Sequence, residues 1–227
     1  MRSHIMDILP HLPLFQGVGY RDMENLEKRF SLEIHDYKEG EIMAQQDSPC
    51  AQLIIPFKGT ILMHTWSADK KYMITERLQS PIPIQPEALY GISPCFTRTF
   101  QAQTEVSALC FSKDNVTRLF EEVEVFRLNV INMFASRIYR NEKWLWRDYS
   151  GTTARRLISF IQSRCLYPAG EKTIHISMAC LAAQINDTRN NVSQTLNDWQ
   201  NRQLILQKRK RIIIPLFDKL IKSISLS

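Results

Sequence analysis

The 227-residue chain is 44% hydrophobic and 23% charged, the mix of an ordinary globular protein with enough core for one large domain or two modest ones. No apolar run is long enough to cross a bilayer, and the opening "MRSHIMDILPHLP" lacks the apolar stretch of a secretory signal. The five cysteines, Cys50, Cys95, Cys110, Cys165 and Cys180, include no C-x-x-C pair, which argues against a disulfide frame or a cysteine-rich metal cluster and for a reducing cytoplasm.

Charge is divided along the chain. The net charge is +6, yet Met1–Val125 holds 12 basic against 17 acidic residues, net −5, and the remainder holds 17 against 6, net +11. The back half alone is suited to meeting a polyanion.

In chain order, "RDMENLEKRF" reads as a helix. The segments "LEIHDYKEG", "QLIIPFKGTILMHTW", "KYMITERLQ" and "FQAQTEVSALCF" follow as short β-branched and aromatic runs punctuated by Gly, Pro and Asp. Many short strands at fairly even spacing predict a sandwich or barrel over residues 1–120. From about Glu121 to Asp148 no Pro or Gly occurs, which predicts one long helix. Ile131, Phe134, Ile138 and Leu145 fall on a and d positions of a heptad, with Asn141 the polar member of the same seam. Such a narrow seam suits a partner helix better than its own domain's core. "DYSGTT" then supplies a stop, a hinge and an N-cap, and residues 151–227 form a compact third region.

That region carries the chemistry. "TARRLISFIQSRCL" reads as a helix and "KTIHI" as a strand. Ser177 is placed to cap a short helix with Leu181 and Ile185 on its apolar face. Asn186 sits where a tight turn needs a residue tolerant of positive φ, and Thr188 caps the next helix. On that helix Val192, Leu196 and Trp199 make one buried stripe. Asn190, Gln194, Asn197 and Asn201 point the other way, with Arg189 to one side. Amides donate and accept at once, which matches the adenine edge in the major groove, and arginine matches guanine. Two short helices with such a face on the second predict a helix-turn-helix. "LILQKRKRIIIP" then gives two strands joined by Lys208, Arg209, Lys210 and Arg211, a basic tip suited to phosphates.

Taken in order, these motifs resemble the cyclic-AMP receptor / FNR family of bacterial transcription regulators over nearly the whole chain. "LPLFQGVGYRDMENL" is similar to the family's opening helix. "YKEGEIMAQQDSPCAQLIIPFKGTI" is similar to its β-roll signature of Tyr37, Gly40, Asp47 and Gly59. "TTARRLISFI" resembles the first helix of its DNA-binding domain, and "ISMACLAAQINDTRNNVSQTL" matches its helix-turn-helix without a gap. The resemblance implies an α+β fold: an antiparallel, cyclic-nucleotide-binding-like β-roll or jelly roll at 1–120, a dimerisation helix and hinge at 121–150, and a winged helix-turn-helix at 151–227. It implies a cytoplasmic, non-enzymatic homodimer on double-stranded DNA with a two-fold symmetric site, with RNA polymerase as a further partner and no membrane. The DNA-contacting candidates are Ser177, Thr188, Arg189, Asn190, Ser193, Gln194, Asn197, Lys208, Arg209, Lys210 and Arg211. Family members commonly place an acid and a second arginine where Asn190 and Gln194 stand, so base preference should shift toward adenine.

The sensor half departs from the family. A cyclic-nucleotide pocket there needs Gly-Glu, free backbone N–H groups and an arginine, where this chain reads "PIPIQPEALYGISPCFTRTF". Pro81, Pro83, Pro86 and Pro94 each remove a donor, Phe96 stands where the arginine should be, and Glu142 on the long helix would oppose a phosphate. Cyclic AMP is therefore disfavoured and the effector is unknown. Glu87, Thr97, Arg98 and Asn141 are the effector-pocket candidates, with Glu87 and Arg98 alternatively a surface ion pair. No cofactor is evident: the cysteines lack an iron–sulfur arrangement, and His4, His11, His35, His64 and His175 show no metal-ligand spacing. Cys95 and Cys110 are candidate redox sensors, although buried structural thiols are commoner. The competing readings are a cupin-like β-roll enzyme, which would need clustered histidines and a carboxylate, and a ligand-binding module whose basic tail grips RNA, which would need aromatic stacking platforms.

Overall fold

The computed structural model describes residues 2–30, 32–145 and 151–225, and these divide into two compact units. The first comprises Met1–Leu62 and Leu78–Arg140; the second comprises Met63–Arg77 and Asn141–Ser227.

Unit 1 opens with helix α1 (Arg2–Ile8), two single 3-10 turns and helix α2 (Tyr20–Arg29). Antiparallel strands follow: β1 (Glu33–Tyr37), β2 (Ile42–Ala44), β3 (Gln52–Lys58), the start of β4 (Thr60–Trp66), the end of β5 (Met73–Gln79), β6 (Thr99–Ala102) and β7 (Val106–Ser112). Strand β7 lies between β1 and β3, with Ile34 opposite Leu109 and Ile54 opposite Cys110, and β2 pairs with β6. The β3–β4 turn is tight because Gly59 adopts φ +98°, and a Cβ there would stand 2.3 Å from the Glu105 carbonyl oxygen. Only glycine fits both demands. The core gathers around Phe15, which lies 5.6 Å from Phe111 and 5.0 Å from Phe126 between ring centroids.

Two helices close the unit where the sequence reads as one. Helix α3 (Lys113–Glu122) is capped by Ser112, whose hydroxyl accepts from the Asn115 N–H, and it ends at Val123 in an extended conformation. Helix α4 (Glu124–Leu145) then begins, so the long helix starts at Glu124 rather than Glu121, and the expected stretch 146–150 lies outside the described residues. No Gly or Pro marks the break, which is why sequence pattern alone passes over it. Helix α4 buries Phe126, Val130 and Arg137 on its own unit while Leu128, Ile131, Ile138 and Tyr139 stay exposed.

Unit 2 contains α5 (Thr153–Gln162), β8 (Lys172–His175), α6 (Met178–Gln184), α7 (Arg189–Asn201), β9 (Leu206–Lys208), β10 (Arg211–Ile214) and α8 (Phe217–Ser225). Strand β8 pairs antiparallel with β10, which pairs with β9. The core is built from Leu157, Phe160 and Ile161 of α5, Leu181 of α6, Val192, Leu196 and Trp199 of α7, Ile212 and Ile214 of β10, and Phe217 and Leu220 of α8. Two features go beyond the sequence reading. Helix α8 is amphipathic and supplies core, and the hairpin arm Met63–Arg77, expected within the N-terminal domain, belongs to this unit. Strand β5 pairs with the outer edge of β8, Ile74 opposite Ile174 and Glu76 opposite Lys172.

Candidate nucleic-acid interface

The helix-turn-helix rests on two hydroxyl caps and one strained turn. The Ser177 hydroxyl accepts from the Cys180 N–H at the start of α6, and the Thr188 hydroxyl accepts from the Asn191 N–H at the start of α7. Each satisfies a helix-end donor that would otherwise face water. Between them Asn186 adopts φ +51°, and the backbone closes with Asn186 N–H donating to the Ala183 carbonyl at 3.3 Å and Asp187 N–H to Ala182 at 3.0 Å. Asn meets the smallest steric penalty of the non-glycine residues in this region.

Asp187 fixes the angle of the turn, and the sequence reading did not single it out. Its carboxylate is 4% exposed and lies 3.0 Å from the Arg156 guanidinium. It accepts hydrogen bonds from Thr153 Oγ1 at 2.7 Å, Asn191 Nδ2 at 2.8 Å and the Thr188 N–H at 2.7 Å. Arg156 Nη1 also donates to the Asn186 carbonyl at 2.7 Å. Helix α5, the turn and α7 are thereby joined through one anion. The Thr153 hydrogen bond, followed by those from Asn191 and Thr188 and the charge of Arg156, holds the Asp187 carboxyl below its usual range. The signal available in sequence was an Asp directly before a capping Thr, with an Arg on α5.

Helix α7 buries Val192, Leu196 and Trp199 and exposes Arg189, Asn190, Gln194, Asn197 and Asn201; Ser193 is half-buried. Among the described residues Arg189, Asn190 and Gln194 have no side-chain hydrogen-bond partner. Asn197 differs: its Oδ1 accepts from Gln207 Nε2 at 3.1 Å, so it also ties α7 to the hairpin. That hairpin turns on Lys210, at φ +56°, with Lys208 opposite Arg211. Lys208, Arg209, Lys210 and Arg211 are all exposed, and the Lys210 carbonyl accepts from the Ile176 N–H at 3.0 Å, which joins the basic tip to the residue before the Ser177 cap. His175, on β8 opposite Arg211, has its pKa lowered mainly by burial and then by the charges of Arg211 and His64.

In unit 1 the effector candidates do not form a single set. Glu87, in the 3-10 turn Pro86–Leu89, pairs with the buried Arg137 of α4, so Arg98 is not its partner. Thr97 donates its N–H to Gln85 Oε1 at 3.0 Å, and its hydroxyl accepts from Gln85 Nε2 at 2.9 Å. The Nε of Arg98 is buried without a partner. Asn141 is exposed on α4 and falls in the other unit. On α4 Ile131 and Ile138 are 51% and 58% exposed and Phe134 is half-buried; the side chain of Leu145 lies outside the described residues. Phe134 also lines an apolar seam with Phe120, Phe126 and Val130, so it serves its own core. Burial pushes the Cys110 thiol up to about 11, which keeps it protonated and poorly nucleophilic. Among the described residues no cluster of three His, Cys, Asp or Glu is placed to hold a metal ion, and no helix is long and apolar enough to cross a membrane.

A capped two-helix motif followed by a two-stranded basic hairpin is the arrangement of a winged helix-turn-helix. The model of the Crp-like helix-turn-helix domain matches residues 154–223. The fold of the whole chain is similar to that of the catabolite activator protein of Thermus thermophilus, at 15% identity and TM-score 0.53, over 94% of this chain and 98% of that one. It is equally similar to a protein of Eubacterium rectale assigned to the Crp/Fnr family of transcriptional regulators, at 16% identity and TM-score 0.53, over 96% and 99%. The sensor domain of the regulator DNR of Pseudomonas aeruginosa aligns with 63% of this chain and 93% of its own length, at 14% identity and TM-score 0.53. A search of curated proteins by sequence finds no match. The resemblance read from the sequence agrees with these findings: residues 154–223 match a Crp-like helix-turn-helix domain, and the chain shares the fold of those solved structures.

Proposed function

We propose that the chain is a sequence-specific DNA-binding regulator of transcription that works in the cytoplasm as a homodimer on a two-fold symmetric duplex site. The observation that carries the reading is the exposed face of α7, where Arg189, Asn190 and Gln194 stand free of internal partners beside the basic hairpin. Arginine and amide side chains with unused donors and acceptors are the groups that discriminate base edges, and Lys208, Arg209, Lys210 and Arg211 add the phosphate contacts that set register. Ser177, Thr188 and Ser193 contribute hydroxyls at the same surface.

Dimerisation runs along α4. Leu128, Ile131, Ile138 and Tyr139 leave an apolar stripe in water, which a partner helix would cover at the spacing of a heptad seam. Two reading helices in such a dimer stand roughly 34 Å apart, one turn of DNA. Action on transcription brings RNA polymerase in as a further partner.

Cyclic AMP is disfavoured as the effector, because Glu87 is already neutralised by Arg137 and four prolines remove backbone donors from the loop a phosphate would need. The test of the reading is selection of duplexes from a random pool. Wild-type protein returns a palindromic site, and Gln194→Ala loses ~1–3 kcal/mol of discrimination at one base position of each half-site. Unchanged selection by that variant overturns the assignment of the α7 face.

A further inference from the structure

The DNA-reading unit is not confined to the C-terminal third of the chain. Glu76 of β5 is fully buried, and its carboxylate accepts three hydrogen bonds from the stretch between α5 and β8: from the Leu166 N–H at 2.7 Å, the Tyr167 N–H at 3.0 Å and Lys172 Nζ at 2.7 Å. Lys172, 0% exposed, has the Ala169 carbonyl as its other acceptor, at 2.8 Å. A buried ammonium with its carboxylate removed is strongly destabilising, so Lys172 requires Glu76, which lies 96 residues earlier. Two neighbours reinforce the contact. Arg164 donates from Nε to the Tyr72 hydroxyl at 2.6 Å and lies 4.2 Å from the Phe160 ring centroid, and the Arg77 N–H donates to the Glu171 carbonyl at 3.2 Å. Ile74 is 1% exposed within the same core as Trp199 of the reading helix.

We propose that the arm Met63–Arg77 is an integral strand of the DNA-reading unit and that Glu76 is the positioning residue of the wing. The inference rests on the DNA-binding reading above and adds to it a route of control. In the sheet order β4, β5, β8, β10, β9, the arm lies on one side of β8 and the hairpin that carries the basic tip Lys208–Arg211 lies on the other. The strands that carry the arm enter from Leu62 and leave to Leu78, both in unit 1. A shift of β5 therefore moves β8, and with it the Ile176–Lys210 contact that holds the tip. A strand ladder transmits such a shift because its register is discrete: a one-residue slip would turn Ile74 out of the core and bring Glu76 out of reach of Lys172.

The test uses the full-length chain and two readouts. Hydrogen exchange, followed without DNA, reports the Thr173 and Ile174 amides of β8; affinity is measured for the duplex that wild-type protein selects. Glu76→Gln is expected to speed exchange of those amides at least tenfold and to weaken DNA binding at least tenfold. Tyr72→Ala leaves the buried charges paired and keeps the fold; it is expected to speed exchange severalfold and weaken binding two- to fivefold. Glu76→Gln combined with Lys172→Met removes the orphaned charge and should recover part of both effects. Exchange in Glu76→Gln and Tyr72→Ala at the wild-type rate overturns the proposal, as does faster exchange with unchanged affinity. If wild-type protein selects no duplex, the DNA-reading assignment falls, while the exchange comparison still decides whether the arm belongs to the sheet.

Discussion

Replacing Asp187 by Ala tests how the turn is held. The substitution removes the acceptor of three hydrogen bonds and the counter-charge of Arg156. Cutting one partner out of a buried ion pair costs about 3–5 kcal/mol. Arg156 is a quarter exposed and keeps the Asn186 carbonyl, which lowers the expected loss to about 2–3 kcal/mol. For a unit of this size each kcal/mol is worth roughly 4–8 °C, so the melting transition of unit 2, followed by calorimetry, should fall by about 10–20 °C. The sign of the pH dependence is fixed by the lowered carboxyl pKa: the stabilisation is full above the unfolded carboxylate value and disappears as pH falls through the lower folded one. Wild type should therefore lose its advantage over Asp187→Ala below about pH 4. A penalty under about 0.5 kcal/mol at neutral pH, or an advantage that persists in acid, refutes the account of the turn.

Three further outcomes follow from the same geometry. Because burial and Arg211 lower the pKa of His175, the folded state favours neutral imidazole; unit 2 should lose stability as pH falls from about 6.5, the unfolded value, and melts of His175→Asn across pH should lack that decline. Charging the α4 stripe with Ile131→Lys and Ile138→Lys should convert a dimer to a monomer in analytical ultracentrifugation while leaving the melt of the β-roll unchanged, since both side chains are exposed. Neutralising Lys210 and Arg211 with Gln should weaken binding to all duplexes alike and reduce the slope of log affinity against log salt by about 0.9 for each phosphate no longer neutralised; a base-specific change would contradict a phosphate role.

Local pattern and local chemistry settled much of unit 2 in advance. The spacing of Val192, Leu196 and Trp199 gave the buried side of α7 and hence its exposed amides, while Ser177 and Thr188 marked two helix starts through hydroxyls suited to the unpaired N–H groups there. Asn186 announced the turn. These signals work because each depends on neighbours within four residues. The break at Val123 escaped because neither Gly nor Pro marks it; Leu119 before it and Phe126 after it are both buried, and burial on either side of a break is settled by packing rather than by local pattern. The seam on α4 was half legible for a related reason. A heptad identifies which residues share a face, and packing then assigned Phe134 to its own unit while leaving Ile131 and Ile138 exposed.

Sequence by itself determined the helix-turn-helix, the placement of α7 and the basic tip, since periodicity, capping residues and charge runs are written in consecutive positions. Only the tertiary structure decided that Glu87 meets Arg137, that Asp187 joins α5 to α7, and that Glu76 neutralises Lys172. Each of those is an ion pair between residues far apart in the chain, and a charge shows its need for a partner only once folding has taken it out of water.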